Sequence, residues 1–269
     1  MVSALPLLRI DLAPAAEALG RVGRRLVEAL RAVRDPMVPV PGLDWTLGEL
    51  TAHLAARTAA FAGYLDGSVT PEGEIADLAS LNARQIEESR EVPFETQVEL
   101  VAASVAAFVE TTKGRLGGDP YPWHSSLVLD VATGTGIALA ELLVHGHDVG
   151  RATRRPWPID ADDARTALKA SIVLAPQYLD RSAARGKEVT FRLSVRGLAP
   201  VRLRIADDAL EVLPPGTPAD ATILARPVPL LLVSFGRLSR WRAFASGGVL
   251  PWGRKPWLAA TFDRYFRSP

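Results

Sequence analysis

Apolar residues in the first part of this chain recur at three-to-four spacing, the signature of helices with one buried stripe. From Pro14 to Arg34, the residues Ala15, Leu19, Val22, Leu26, Leu30 and Val33 fall on one face, with Pro14 suited to a first turn. Pro36, Pro39 and Pro41 end that helix. A second helix opens at Thr46, where Thr46 and Glu49 form a capping-box pattern and Trp45 and Leu50 a hydrophobic staple, and it runs on through Arg57. Further helical stretches are expected over Glu72–Glu91 and Thr96–Lys113, the latter with Val98, Val101, Val105, Phe108 and Val109 on one side. Pro93 separates them, and Gly117, Gly118 and Pro120 close the second. The spacing next predicts a helix from about Thr135 to Ala152, with Gly150, Pro156 and Pro158 as its stop, and another to Leu174 capped by Asp160 or Asp162.

The period then changes from helical to alternating. Val189, Phe191, Leu193 and Val195 alternate with polar neighbours, as do Val201, Leu203 and Ile205, which predicts half-buried antiparallel strands. Ala209–Leu213 and Ala221–Leu224 read as two more strands, while Pro227–Phe235 and Lys255–Tyr265 read as helices. The expected architecture is therefore two domains divided near Ser182–Gly186: a helical domain over 1–183 and a smaller antiparallel-sheet α+β domain over 184–269 with helices on one face.

At 269 residues the chain is long enough for both domains to carry cores. Its 31 basic and 30 acidic residues leave a net charge of +1, which gives no electrostatic footprint for nucleic acid or an anionic membrane. No signal-peptide pattern opens the chain and no long uncharged apolar run follows, so a cytoplasmic protein is expected. Cysteine is absent, which excludes disulfides, thiolate ligands and a cysteine nucleophile; thiol chemistry here requires a thiol brought by a cosubstrate. Trp241, Trp252 and Trp257, interleaved with Arg240, Arg242, Arg254 and Lys255, read as core and domain-seam anchors rather than a nucleobase-stacking surface.

Chemistry concentrates in Ile137–Asp148, where Glu141 and His145 stand four apart on a stripe that would otherwise be core. Burying an isolated carboxylate costs several kcal/mol or more, roughly, and a divalent metal shared with an imidazole is one compensation. His53, inside the helix that Thr46 opens, is the candidate third ligand. The other reading of Glu141 and His145 is a half-exposed i,i+4 pair at a domain seam. Asp148 either orients an imidazole from behind or pairs with Arg151 on the surface. His147 points away from His145 on an ideal helix, and His124 sits in an aromatic loop; neither is placed in the site.

Val128–Ile137 resembles the glycine-rich first motif of class I methyltransferases, which cradles S-adenosylmethionine. Against a methyltransferase, the chain supplies too few parallel-strand candidates afterwards, and the glycines also read as a loop into the Glu141 helix.

The Trp45–Leu54 helix start, taken with Glu141–Ala152, resembles the mycothiol-dependent maleylpyruvate isomerase family, and the similarity extends over nearly the whole chain. The resemblance implies a DinB-like four-helix bundle followed by a domain similar to sterol-carrier proteins, with Ala219–Ile223 and Phe235–Ser239 as C-terminal signposts. It implies a divalent metal, with zinc the expected ion, on His53, Glu141 and His145, and mycothiol as the metal-activated thiol cosubstrate. Isomerisation of a maleylpyruvate-type substrate and S-transfer to another small electrophile are both compatible with it. Arg237 is a candidate clamp for a substrate carboxylate. His147 stands where the family commonly has an aromatic, which bears on the pocket edge and so on the substrate. The competing class is a non-catalytic binder with a vestigial metal site, its cavity lined by Leu230, Leu231, Leu232, Val233 and Phe235. Monomer and dimer both remain open.

Overall fold

The structure, a computed structural model, describes residues 6–71 and 73–267 and divides into two compact units. The first, residues 9–159 of the described chain, is built on four long helices: α1 (Leu12–Arg31), α2 (Leu47–Asp66), then after the short α3 (Leu78–Glu88) α4 (Phe94–Thr112), and α5 (Val131–Thr153). A two-stranded antiparallel hairpin, β1 (Pro120–Trp123) and β2 (Leu127–Asp130), leads into α5. Each of α1 and α2 packs on both α4 and α5, so the four form a bundle with α1 and α2 at opposite corners. Its centre is filled by Leu26, Leu30, Leu50, Leu54, Leu139 and Leu143, all 0% exposed, each contributing about 1.5–3 kcal/mol by leaving water.

The capping box expected at Thr46 is present, with the Glu49 amide donating to Thr46 Oγ1 and the Thr46 amide donating to Glu49 Oε2. One sequence expectation fails here because of the punctuating power of glycine. The Glu141 helix begins at Val131 rather than Thr135, capped by Asp130, and ends at Thr153, one residue beyond the expected Ala152. Gly134 and Gly136 therefore lie inside α5 and not in a loop before it. Gly134 is required because the Tyr121 ring occupies the space a Cβ would take. The same observation corrects the methyltransferase reading: the glycine run is helical, and among the described residues β2 pairs only with antiparallel β1. The third helical stretch is shorter than expected, a 3-10 turn at Ile75–Asp77 and then α3, and Glu72 lies outside the described residues.

The second unit, residues 160–267 with Pro6–Leu8, contains α6 (Ala161–Leu174), the short α7 (Arg181–Ala184), β3 (Val189–Val195), β4 (Val201–Ala206), β5 (Ala209–Leu213) and β6 (Ala221–Ala225), then α8 (Pro227–Ser234), α9 (Arg240–Ala245), β7 (Val249–Trp252) and α10 (Pro256–Ala259). The unit boundary falls at Ile159/Asp160, not near residue 183, because α6 packs on α8 and belongs to the second core. The five-stranded sheet has the order β5-β4-β3-β6-β7. Three pairings are antiparallel, β3–β4 and β4–β5 as expected and β6–β7 through a strand the sequence pattern did not announce; β3 and β6 pair in parallel, Phe191 opposite Ala221. Leu230, Leu231 and Leu232 are buried on α8 as core rather than lining an open cavity. Within this unit Trp241, Trp252 and Trp257 are 67%, 67% and 64% exposed, so they do not anchor its core. No helix among the described residues is long and apolar enough to cross a membrane.

Candidate metal centre

The packing of α2 on α5 brings His53 to Glu141 and His145. Glu141 Oε1 lies 2.8 Å from His53 Nε2 and 3.4 Å from His145 Nε2, so a single carboxylate oxygen faces both imidazoles. The side chains of His53 and His145 are 5% and 8% exposed, while Glu141 keeps 19%, leaving one side of the cluster open. The half-exposed surface pair is therefore not what forms. Behind His145, its Nδ1 donates to Asp148 Oδ2 at 2.9 Å, with Asp148 fully buried, so Asp148 does not pair with Arg151 at the surface. Trp45, the residue before the α2 cap, packs its ring 4.9 Å from that of His53 and 6.5 Å from that of His145.

The electrostatics follow from burial and this pairing. Burial pushes the Glu141 carboxyl up, but the His145 charge and hydrogen bonds from both imidazoles override it and hold the group well below the usual carboxylate range. Burial pulls His145 down, but Glu141 and Asp148 outweigh it and raise the imidazole to about 9. For His53 burial wins over the hydrogen bond to Glu141, and the pKa is lowered. Without metal, then, Glu141 and His145 form a buried ion pair and neutral His53 donates from Nε2. Its Nδ1 is enclosed without a partner.

The three residues offer ligand atoms all within 4.8 Å of one another. A tetrahedral zinc ion with bonds near 2.0–2.2 Å separates its ligand atoms by roughly 3.3–3.6 Å. The 3.4 Å spacing of Glu141 and His145 already fits, and His53 has to retreat from its hydrogen bond by about half an ångström. Two imidazoles and one carboxylate, with the back of one imidazole held by Asp148, are a donor set that fits a divalent ion.

Of the other residues singled out, His147 is half-buried on α5 and outside the cluster. Arg237 lies in the second unit, in the turn after α8, where its Nη1 donates to the Phe235 carbonyl at 2.7 Å. His124, expected in a loop, occupies the β1–β2 turn and is 0% exposed. That turn is pinned by Ser125, which donates its amide to the Gly73 carbonyl and accepts from the Ile75 amide on Oγ. His124 Nε2 lies 3.4 Å from Tyr64 Oη and 3.5 Å from Nη1 of Arg57, a residue that the sequence reading passed over. The signal was available: Arg57 follows His53 by four on the same helix, a cation within an apolar run just as Glu141 is an anion within one.

Fold and site together define a helical bundle with a buried His–Glu–His cluster, followed by a unit built on a mixed sheet. Residues 16–150, half of the chain, match the family model described as the mycothiol maleylpyruvate isomerase N-terminal domain, and the chain belongs to that family. The fold is shared with the crystal structure of the mycothiol-dependent maleylpyruvate isomerase, at 14% identity and a TM-score of 0.56, over 90% of this chain and 93% of that one. A histidine-to-alanine variant of that enzyme matches over the same shares at 14% identity with a TM-score of 0.57. No curated protein matches in sequence.

Proposed function

We propose that this protein is a metal-dependent enzyme that uses a low-molecular-weight thiol, mycothiol, as nucleophile against a small electrophile, in isomerisation or S-transfer, at a centre formed by His53, Glu141 and His145. The observation that carries the reading is the convergence of two buried imidazoles from different helices on one oxygen of Glu141. Three protein ligands leave a tetrahedral ion one open position, the arrangement of a catalytic rather than a structural zinc, and the residual exposure of Glu141 marks the open side. A divalent ion held there supplies the positive charge that makes a neighbouring thiol nucleophilic at neutral pH. Glu141 supplies the anionic ligand. Asp148 fixes the His145 tautomer whose Nε2 lone pair faces the centre. Trp45 closes the cluster on the imidazole side and limits water there. With no cysteine in the chain, the thiol has to arrive as a cosubstrate. The names of the family and of its solved relative support mycothiol in that role, and a maleylpyruvate-type acid is one candidate electrophile.

The test is elemental analysis of purified protein beside His53→Ala and Glu141→Ala, followed by mycothiol-dependent turnover of candidate electrophiles. Near-stoichiometric metal in the parent, lost in both variants together with turnover, is the expected result. A parent protein that stays folded and metal-free after metal-replete growth would sink the reading.

A further inference from the structure

Arg57 is 5% exposed, one helical turn beyond His53 on α2, or about 6 Å along the axis. Its guanidinium stands 4.8 Å over the Phe61 ring, and its one hydrogen-bonding neighbour is His124 Nε2, at a long 3.5 Å. It has no Asp or Glu partner among the described residues. Five N–H donors are thus left with one weak acceptor. The remaining donors are not among the fully enclosed atoms that lack a partner, so they keep some contact with solvent. The neighbouring ions differ: Glu141 and Asp148 both pair with His145, and neither pairs with Arg57. A divalent ion at the cluster would require His145 to be neutral. Its two positive charges and that of Arg57 then exceed the negative charges of Glu141 and Asp148 by one. A buried, planar guanidinium with unmatched donors, beside a centre of net positive charge, suits a carboxylate.

We propose that Arg57 is the carboxylate-holding residue of this site: its guanidinium, buried one turn from His53 without an acidic partner, takes the carboxylate of a small anionic electrophile. The placement of the reaction rests on the function proposed above. The alternative is a structural role, with Arg57 bracing the β1–β2 turn through His124.

Arg57→Met separates the two, because methionine keeps much of the stem's volume and removes only the charge. If Arg57 waits for an anion, the ligand-free variant melts at or above the parent, since a buried charge with no ion-pair partner has been removed. In the same case the zinc-loaded variant binds maleate at least ten-fold more weakly by calorimetry in the absence of thiol, while uncharged dimethyl maleate shows no difference. Arg57→Lys, which keeps the charge and loses the bidentate fork, falls between parent and Arg57→Met in maleate affinity. A melting temperature several degrees below the parent, a failure of Arg57→Met to fold, or equal maleate affinity each overturns the inference. Zinc content of the same samples keeps the questions apart. Zinc-loaded parent and Arg57→Met with equal maleate affinity remove this inference alone. A parent that holds no divalent metal removes the function proposed above, and the melting comparison, which needs no metal, still decides the role of Arg57.

Discussion

Asp148 accepts a hydrogen bond from His145 Nδ1 at 2.9 Å in a setting where Asp148 is wholly enclosed, so the imidazole has no freedom to turn its Nε2 away from Glu141. A carboxylate behind a ligating imidazole fixes its orientation and raises its basicity. Asp148→Ala is therefore expected to weaken metal binding about 10- to 100-fold while leaving all three ligands in place. Competition against a chelator of known affinity measures this directly, and an unchanged affinity would mean that helix packing alone orients His145.

The position next to His145 is constrained by Trp157. A Cβ on Gly146 would fall within the indole, which also leans on Gly150 one turn later and carries the Arg25 guanidinium 3.8 Å over its ring. A ring packed against Gly146 and covered by Arg25 cannot swing aside as a flexible chain end would. Gly146→Ala is expected to destabilise the protein by about 1–3 kcal/mol, the usual cost of overpacking. Thermal melting reads the loss, and Gly146→Ala with Trp157→Ala should recover part of it if the clash is the cause.

The centre was more legible in the sequence than the scaffold around it. A charged residue on a stripe of helical period conflicts with burial, and that conflict marked Glu141 without any knowledge of its neighbours. His53 carried no such conflict, since only the packing of α2 on α5 brings it to Glu141. Elements rich in glycine or proline were lost. β1 contains Pro120 and Pro122, and β7 contains Pro251 after Gly247 and Gly248; both strands tolerate proline because each lies at a sheet edge, a fact of topology rather than of local pattern. Alternation likewise told which face of β3 is buried but not that β6 runs parallel to β3, because a strand's period does not record its neighbour's direction.

The capping box at Thr46 fixes where α2 begins, and His53 lies about two turns further on. Thr46→Ala removes the acceptor for the Glu49 amide and is expected to cost about 1 kcal/mol. Urea unfolding checks the magnitude. Metal stoichiometry should survive, because the contacts of Leu50 and Leu54 in the bundle core hold the rest of the helix.

The ion pair between Glu141 and His145 makes metal-free stability depend on pH with a definite sign. His145 is raised to about 9 in the folded protein against about 6.5 in an unfolded chain, so folding binds its proton more tightly. The stabilisation is complete below about 6.5 and is lost as pH rises through about 9, with a ceiling on the order of 3 kcal/mol. The groups facing His145 from α5 and α2 are Glu141, Asp148 and His53, with Arg57 a turn further along α2. Over this window Glu141 is already ionised and His53 already neutral, so His145 supplies the change. Metal reverses the sign, because a ligand nitrogen has to lose its proton first. Metal affinity should rise about tenfold per pH unit up to about 9 and then level, while the metal-free protein becomes less stable over the same range. Urea unfolding of metal-free protein at pH 6.5 and 9, set beside chelator competition at the same values, tests both slopes. Metal-free stability that stays flat across the window would show that His145 is not held as a cation, and the proton released on metal binding would then have to come from another group.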